Sequence, residues 1–378
     1  MSFRPLSLSL ILAASTSAAA IVPPIPAAPS VPVRSYVLVD FVSGQVLASN
    51  DADSRVEPAS ITKLMTVYVA FHELAAGRLQ LDEEVPVSVK AWRAEGSRMF
   101  IQEGSRVTVS DLLDGIIVQS GNDASIAIAE YIAGTEDAFA DVMNTYAEHL
   151  GMSGSHFVNA SGLPDPEHYT TANDIATLSA ALIREFPQYY PLFSIREFTY
   201  GGIRQHNRNA LLFRDDSVDG LKTGHTESAG YCLAASAMRG EQRLISVVLG
   251  AADESSRNSA SAALLDYGFR WFETHLLYPA GGEVTRIRVW KGAAEEVALG
   301  PAVDIYVTIP RGRYQDLDAN MQLVTQVLAP VSADSNIGEV VVMLGDEVVA
   351  RVPLVPLAPV PEGNLWQVLR DTVALWFE

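Results

Sequence analysis

The sequence predicts an α+β fold with a large mixed domain, a small all-β domain and a C-terminal amphipathic helix. In the large domain, residues 33–281, helical and strand-like segments mix without the regular alternation that builds a doubly wound sheet. Over residues 282–360 the runs become short and strand-like, and turn residues separate them. In the last segment, residues 361–378, apolar side chains recur at helical spacing.

The composition narrows the classes of function. The chain has 378 residues, of which 48% are hydrophobic and 19% are charged, a balance typical of globular proteins with room for more than one domain. A formal net charge of −19 argues against nucleic-acid binding, because that affinity rests on cations that neutralise phosphates. The chain has one cysteine and seven histidines, without paired ligand spacing, so we predict no metal and no cofactor. The cysteine, Cys232, is expected to be a small buried hydrophobe.

The N-terminus is typical of an export signal. Arg4 precedes an apolar run over residues 6–14, and the alanines at positions 18–20 suit a cleavage site. The run is too short for the ~20 residues that a membrane span needs. We therefore predict a signal peptide over residues 1–20, a Pro/Ala-rich leader over residues 21–32, and an exported protein.

The individual elements follow from alternation and helical period. In the large domain, strands are predicted at residues 36–40, 44–48, 233–237 and 244–249. Helices are predicted at residues 60–75, 112–133, 174–183 and 259–272. In the β-rich domain, strand-like runs cover residues 284–290, 297–299, 303–309, 322–328, 339–344 and 347–352.

The helix predicted within residues 361–378 carries one apolar face. At 100° per residue, one arc holds Leu365, Trp366, Leu369, Val373, Trp376 and Phe377. One interpretation is a helix docked on its own domain. The Pro-rich spacer over residues 353–361 and the two tryptophans favour the other, an anchor that lies in the plane of a membrane surface. Arg370 is the only cation in this segment, so attraction to anionic lipids adds little.

Ser60 and Lys63 form the first chemical motif. They lie one helical turn apart at the start of an apolar helix, so the amine of Lys63 can reach the hydroxyl of Ser60. A serine hydroxyl is a weak nucleophile unless a base takes its proton. Burial beside the apolar helix disfavours the ammonium form and would let Lys63 be that base. The spacing alone is a weak signal.

The second motif is Ser120-Gly121-Asn122. Its hydroxyl could relay a proton, and its amide could bind a peptide carbonyl. Ser256 and Asn258 show the same spacing further along the chain, so the letters alone do not decide between the two stretches. The first stretch follows one apolar helical segment and precedes another, and this placement favours Ser120.

The third motif is Lys222-Thr223-Gly224, which precedes a strand-like run. Lys222 would present a fixed cation over a pocket, and Gly224 would let a substrate backbone lie against the strand edge. The chain has only four lysines, and two of them fall in the first and third motifs. The ordered triple of Ser-x-x-Lys, Ser-x-Asn and Lys-Thr-Gly is similar to the signature of β-lactamases and penicillin-binding proteins.

On these residues, the chain resembles the low-molecular-mass penicillin-binding proteins, the serine-type D-alanyl-D-alanine carboxypeptidases of bacterial cell walls. Residues 56–66, 120–123, 203–209 and 218–231 are similar to the family's motif segments. The resemblance extends over nearly the whole chain. It implies a penicillin-binding/β-lactamase-like catalytic domain, followed by the β-rich domain and the terminal helix.

The resemblance also implies a role for each matched position. Ser60 would be the nucleophile, Lys63 its proton acceptor, and Ser120 a proton shuttle to the leaving group. Asn122 would hold the substrate amide, and the backbone N–H groups of Ser60 and His225 would form the oxyanion hole. The implied substrate-binding residues are Asn122, Lys222, Thr223, Gly224, His225, Arg208 and Arg257.

The terminal carboxylate of the substrate would be received by Lys222 and Thr223, helped by an arginine. Arg208 and Arg257 both lie in segments that resemble the family's carboxylate-supporting arginines, and the sequence does not rank them. A class A β-lactamase would need a glutamate in the loop around residue 167. Glu167 is near that place but lacks the expected context, so we expect an ordinary loop residue there.

The implied function is a carboxypeptidase that trims the terminal D-alanine from peptidoglycan stem peptides ending in D-Ala-D-Ala. It would act through an acyl-enzyme on Ser60, which β-lactam antibiotics would also form. The expected location is the periplasm, peripherally attached to the outer face of the inner membrane through the terminal helix. A D,D-endopeptidase and a β-lactamase on the same fold stay open as alternatives. A non-catalytic cell-wall-binding protein is a third, against which the intact motifs argue.

Overall fold

The structure is a computed structural model that describes residues 25–377. The predicted signal peptide, residues 1–20, and the first part of the predicted leader lie outside the described residues. The described chain mixes helices and strands up to residue 271 and is almost wholly β from there to residue 356. The predicted α+β fold with a β-rich second domain and a terminal helix is therefore confirmed.

The first domain contains nine strands and seven α-helices among the described residues. In chain order they are β1 (Ser35–Asp40), β2 (Val46–Asn50), α1 (Lys63–Ala75), β3 (Glu84–Pro86), α2 (Val89–Trp92), β4 (Arg106–Thr108), α3 (Val109–Asp114), α4 (Asn122–Ala133), α5 (Glu136–His149), α6 (Ala172–Glu185), β5 (Glu197–Tyr200), β6 (Ile203–His206), β7 (Val218–Thr226), β8 (Gly230–Arg239), β9 (Gln242–Ala251) and α7 (Glu254–Trp271).

A five-stranded antiparallel sheet supports this domain. Its order is β2-β1-β9-β8-β7, which leaves β7 at the edge. Successive side chains of a strand point to opposite faces, and both faces of this sheet are covered. On one face Val37 packs in a cluster with α1, α4 and α6, and on the other Leu38 packs in a cluster with α7. Cys232 is buried in the first cluster, as expected.

The helix predicted over residues 112–133 is interrupted at its middle. α3 ends at Asp114, a π-helical turn covers Gly115–Gln119, and Ser120 has a left-handed φ of 66°. Such a conformation is strained for a serine and persists only when the surroundings fix it. The break leaves Ser120 outside both helices, at the junction of α3 and α4, where its side chain can serve a site.

The second domain contains eight strands and the terminal helix. They are β10 (Phe272–Tyr278), β11 (Thr285–Trp290), β12 (Glu296–Gly300), β13 (Ile305–Pro310), β14 (Leu317–Leu323), β15 (Val327–Leu328), β16 (Gly338–Leu344), β17 (Glu347–Pro356) and α8 (Leu365–Ala374). Six strands form one sheet in the order β14-β16-β17-β12-β11-β15. β10 lies before residue 282, where we expected this domain to start, yet it pairs antiparallel with β13. The β-rich region therefore begins earlier in the sequence than expected, at Phe272.

The terminal helix α8 is tied to the β-rich domain by its polar side. The Asp371 side chain is buried, and its carboxylate accepts the backbone N–H of Lys291 at 2.6 Å. The apolar face points away from the protein, with Leu365 89% and Trp366 81% exposed. Among the described residues, no helix combines the length and the apolar character that crossing a membrane requires.

Candidate active site

The three sequence motifs meet in one cleft of the first domain, with a volume of about 680 Å³. The predicted residues that line it are Ser60, Ser120, Asn122, Arg208, Thr223, Gly224, His225 and Arg257. Lys63 and Lys222 are buried behind this lining. The fold thus brings together residues that α1, the α3–α4 junction and the edge strand β7 contribute separately.

A short 3-10 turn presents Ser60 to the cleft. The turn covers Ala59–Thr62 and continues directly into α1, whose first residue is Lys63. Gly162 packs against it so closely that a Cβ at this position would stand 1.8 Å from the carbonyl oxygen of residue 59. The glycine also has a left-handed φ of 83°. Both constraints exclude a side chain at residue 162 and fix the turn that carries Ser60.

The amine of Lys63 contacts three oxygen atoms. Its Nζ lies 2.7 Å from Oδ1 of Asn122 and 2.6 Å from the carbonyl oxygen of Ser161. It also lies 2.9 Å from Oγ of Ser60. A neutral lysine amine has two N–H donors and one lone pair. Asn122 and Ser161 can accept the two donors, which leaves the lone pair to face the Ser60 hydroxyl.

The surroundings favour the neutral form of this amine. The pKa of Lys63 is lowered from 10.5 to about 7, first by burial and then by the positive charge of Arg208. Asp123 and Glu136 act in the opposite direction, but more weakly than burial. Near neutral pH a large fraction of the protein therefore carries the neutral amine that a general base requires.

Asn122 makes two contacts that the sequence did not indicate. Its Oδ1 accepts from Lys63, and its Nδ2 donates to the carbonyl oxygen of Glu95 at 2.6 Å. Both ends of the amide are thus engaged within the protein. The side chain positions Lys63, and the second hydrogen on Nδ2 could donate to a substrate carbonyl. Its role in holding the substrate stays a prediction.

A side chain at Gly224 would crowd the protein itself, whereas we predicted that the glycine makes room for a substrate backbone. A Cβ there would stand 3.0 Å from the backbone nitrogen of Ile61 and 3.0 Å from the carbonyl oxygen of Pro58. The glycine therefore lets β7 pack against the turn that carries Ser60. Because β7 is an edge strand, its free side remains available to an extended peptide.

Lys222 has an environment that does not fix its positive charge. The side chain is buried, and its Nζ donates to the carbonyl oxygen of Thr223 at 3.0 Å. Burial lowers the pKa of Lys222 well below its usual value, and the charges of Lys63, Arg208 and Arg257 lower it further. This environment disfavours the charged form, and the role of Lys222 as a fixed cation stays a prediction. A carboxylate bound nearby would favour the charged form again.

The two candidate arginines both line the cleft but are held differently. Arg257 is buried in α7, where its guanidinium donates twice to Oδ1 of Asn258, at 3.1 Å each, and once to Glu254 at 3.1 Å. Arg208 is exposed at the mouth. The alternative Ser-x-Asn stretch, residues 256–258, is thus a turn of helix that holds an arginine.

The sequence did not indicate the carbonyl of Ser161 or the carboxylate of Glu254 as parts of the site. Every residue carries a backbone carbonyl, so the residue type at position 161 gave no signal for this contact. Glu254 could have been suspected, because it lies one helical turn before Arg257. Glu167 is exposed and lies outside the lining of the cleft, as expected of an ordinary loop residue.

Two family models match this chain. One, described as D-alanyl-D-alanine carboxypeptidase, matches residues 23–253. The chain belongs to the D-alanyl-D-alanine carboxypeptidase family. The other, described as Penicillin-binding protein 5, C-terminal domain, matches residues 272–362, and its match begins at the first residue of β10.

Individual relatives agree with this membership. The D-alanyl-D-alanine carboxypeptidase DacA of Escherichia coli (strain K12) is 42% identical, over 93% of this chain and 90% of that protein. Penicillin binding protein 5 from Haemophilus influenzae, a solved structure, has a TM-score of 0.87 and 38% identity, over 89% of this chain and 100% of that one. Penicillin-Binding Protein D2 from Listeria monocytogenes, solved in an ampicillin-bound form, has a TM-score of 0.59 and 30% identity, over 63% of this chain and 98% of that one.

Family membership confirms two predictions for this carboxypeptidase. The enzyme class is a serine-type peptidase, and the fold is that of the low-molecular-mass penicillin-binding proteins. The roles of the individual site residues stay predictions.

Proposed function

We propose that this carboxypeptidase removes the terminal D-alanine from peptidoglycan stem peptides ending in D-Ala-D-Ala, through an acyl-enzyme on Ser60. The observation that supports it most is the buried amine of Lys63, 2.9 Å from the Ser60 hydroxyl and with its pKa lowered to about 7. A neutral amine in that place can take the hydroxyl proton, and the serine oxygen then becomes a strong nucleophile.

In the acylation step, Ser60 Oγ forms a bond to the carbonyl carbon of the penultimate D-alanine while Lys63 takes its proton. Backbone N–H groups of Ser60 and His225 would stabilise the developing oxyanion. The C–N bond then breaks, and Ser120 would relay the proton held by Lys63 to the nitrogen of the departing D-alanine, which leaves Lys63 neutral again. Water hydrolyses the ester on Ser60 and releases the shortened peptide.

The terminal carboxylate would lie against β7 and the cationic side of the cleft. Thr223, Arg208 and Arg257 all line the cleft and can offer a hydroxyl and two guanidinium groups to an anion. A carboxylate bound beside Lys222 would favour the ammonium form of this lysine, because an opposite charge nearby stabilises it. A substrate without that carboxylate would leave these groups without an anion, which favours a carboxypeptidase over an endopeptidase.

The function is tested by intact-mass spectrometry with penicillin and by release of D-alanine. We expect one covalent adduct on the wild-type chain, and free D-alanine from a diacylated tripeptide ending in D-Ala-D-Ala. Ser60→Ala should lose both. Ser97→Ala is the matched control, because Ser97 lines the same cleft without a contact to Lys63, and it should keep both. An adduct that survives Ser60→Ala overturns the proposal, and fast penicillin turnover without D-alanine release would indicate a β-lactamase.

We further propose that α8 holds the exported enzyme peripherally on the outer face of the inner membrane. The polar side of the helix is occupied by its contact with the second domain, whereas the apolar face is open to the surroundings. Trp366 and Trp376, 81% and 80% exposed, are side chains that favour the headgroup region of a bilayer. An amphipathic helix of this kind lies in the interface instead of spanning it.

This attachment is tested by vesicle flotation. Deleting residues 363–378, or replacing both tryptophans by Trp366→Glu and Trp376→Glu, should move the enzyme from the vesicle fraction to the soluble fraction. The control carries Val303→Glu and Leu328→Glu, which are exposed apolar positions of the second domain outside the helix, and it should stay with vesicles. If the deletion leaves the distribution unchanged, the helix is not the anchor.

A further inference from the structure

Glu136 is a buried carboxylate at the start of α5, outside the lining of the cleft. Its residue is only 6% exposed. Oε2 lies 2.9 Å from Nζ of Lys90, and Oε1 accepts the backbone N–H of Ala160 at 3.0 Å. A charge is costly to bury unless it is paired and hydrogen-bonded, and here both oxygens have partners. Its position as the first residue of the helix adds the favourable field of the helix N-terminus.

The residue that Glu136 holds belongs to the 159–163 loop, which supplies a ligand to the catalytic amine. On one side of Ala160, the N–H is bound by Glu136; on the other, its carbonyl accepts from Oγ1 of Thr66 in α1 at 2.7 Å. The next residue is Ser161, whose carbonyl accepts from Lys63 at 2.6 Å. The loop is therefore clamped immediately before the carbonyl that orients the amine.

A second set of bonds shapes the loop but does not attach it to the helices. Oδ1 of Asn159 accepts the N–H groups of Ser161 and Gly162 at 3.1 and 2.7 Å. These bonds fold the loop on itself. Glu136 of α5 binds the loop itself, whereas Asn144 of the same helix binds Phe157, which precedes the loop. On the side of α1, Thr66 and Lys63 bind the loop.

We infer that Glu136, paired with Lys90, is a positioning residue for catalysis: it holds the 159–163 loop so that the Ser161 carbonyl directs the Lys63 lone pair toward Ser60. The inference rests on the proposed role of Lys63 as the base. It gives a role to Lys90, a lysine that is not among the residues that line the cleft.

The charge of Glu136 also acts on Lys63 through space. Burial and Arg208 lower the pKa of Lys63, while Asp123 and Glu136 raise it. Lys222 and His168 also face this amine. The Asp123 carboxylate accepts the backbone N–H groups of residues 99–101, whereas the Glu136 carboxylate pairs with Lys90. The two carboxylates are therefore separate sources of negative potential at Lys63. Removing its charge should make Lys63 lose its proton at lower pH.

Two substitutions separate the two effects. Glu136→Gln keeps an oxygen that can accept the Ala160 N–H but removes the charge, whereas Glu136→Ala removes both. We expect Glu136→Ala to slow acylation by penicillin by about 100-fold, since a misplacement of about 1 Å can have that effect. Glu136→Gln should retain most of the maximal rate, while the midpoint of its pH–rate curve moves below that of the wild type.

The control is Glu148→Gln, which removes the same charge from an exposed position in the same helix. It should match the wild type in rate and midpoint. A wild-type rate for folded Glu136→Ala overturns the inference. If Glu136→Ala does not fold, Glu136→Asp takes its place, because its shorter side chain keeps the charge but draws the oxygens away from the Ala160 N–H; a wild-type rate for Glu136→Asp then overturns the inference. An unmoved midpoint in Glu136→Gln overturns the effect of this charge on Lys63. Failure of the wild type itself to be acylated would instead overturn the proposed function.

Discussion

Replacing Lys63 with alanine is expected to slow acylation of Ser60 by penicillin by roughly 1,000-fold, within the range that a positioned general base contributes. The substitution removes the only lysine amine that contacts the Ser60 hydroxyl among residues 25–377. The measurement is the second-order rate of adduct formation, followed by intact mass at about pH 7.5, above the Lys63 pKa.

Lys63→Arg separates proton acceptance from positive charge. An arginine keeps the charge but cannot give up its proton in the working range, so it should be nearly as slow as the alanine variant. Lys291→Arg, in the second domain, is the matched control and should react at the wild-type rate. If Lys63→Arg reacted as fast as the wild type, a cation near Ser60 would be sufficient and the base mechanism would be wrong. Melting curves must show that each variant is folded, because Lys63 also donates buried hydrogen bonds to Asn122 and Ser161.

Gly162→Ala is expected to destabilise the first domain by about 3 kcal/mol and to slow acylation by about 100-fold. The added Cβ would stand 1.8 Å from the carbonyl oxygen of Ala59 and 2.8 Å from Oγ1 of Thr62, so the turn that carries Ser60 must shift. Urea unfolding and the acylation rate measure the two effects.

The control is Gly201→Ala. Gly201 also has a left-handed φ, of 55°, but a Cβ added there would have no neighbouring atom within 4 Å. It should suffer only the backbone strain of about 1 kcal/mol and keep the wild-type acylation rate. Equal effects of the two substitutions would show that the close packing at residue 162 does not position Ser60.

The chemistry of this site could be predicted because it depends on lysine, a residue that is rare in this chain, and on the spacing of short motifs. A chain with four lysines places two of them in motif positions, and hydroxyl, amine and amide groups seldom fall in that order and spacing by chance. What escaped prediction depends on the backbone. The Ser161 carbonyl, the left-handed turn at Ser120 and the close approach at Gly162 arise from tertiary packing, which the sequence pattern does not encode locally.

The same distinction holds for the fold. The apolar face of α8 was predicted from helical period, because periodicity reports directly which side of a helix is apolar. The pairing of β10 with the second domain was not predicted, because this strand follows α7 without a turn signal. Its partner, β13, lies further along the chain. The lowered pKa of Lys222 could not be predicted either, since burial and the convergence of other cations depend on the three-dimensional arrangement.

The pH dependence of acylation tests most directly whether a neutral Lys63 activates Ser60. Only the deprotonated amine can accept the proton, so the second-order rate with penicillin should rise with pH, reach half its maximum near the Lys63 pKa of about 7, and fall about tenfold per pH unit below it. Control melting curves over the same range exclude unfolding. A rate that stays constant from about pH 5 to about pH 9, or one whose midpoint lies near the ordinary lysine value of 10.5, would contradict this mechanism.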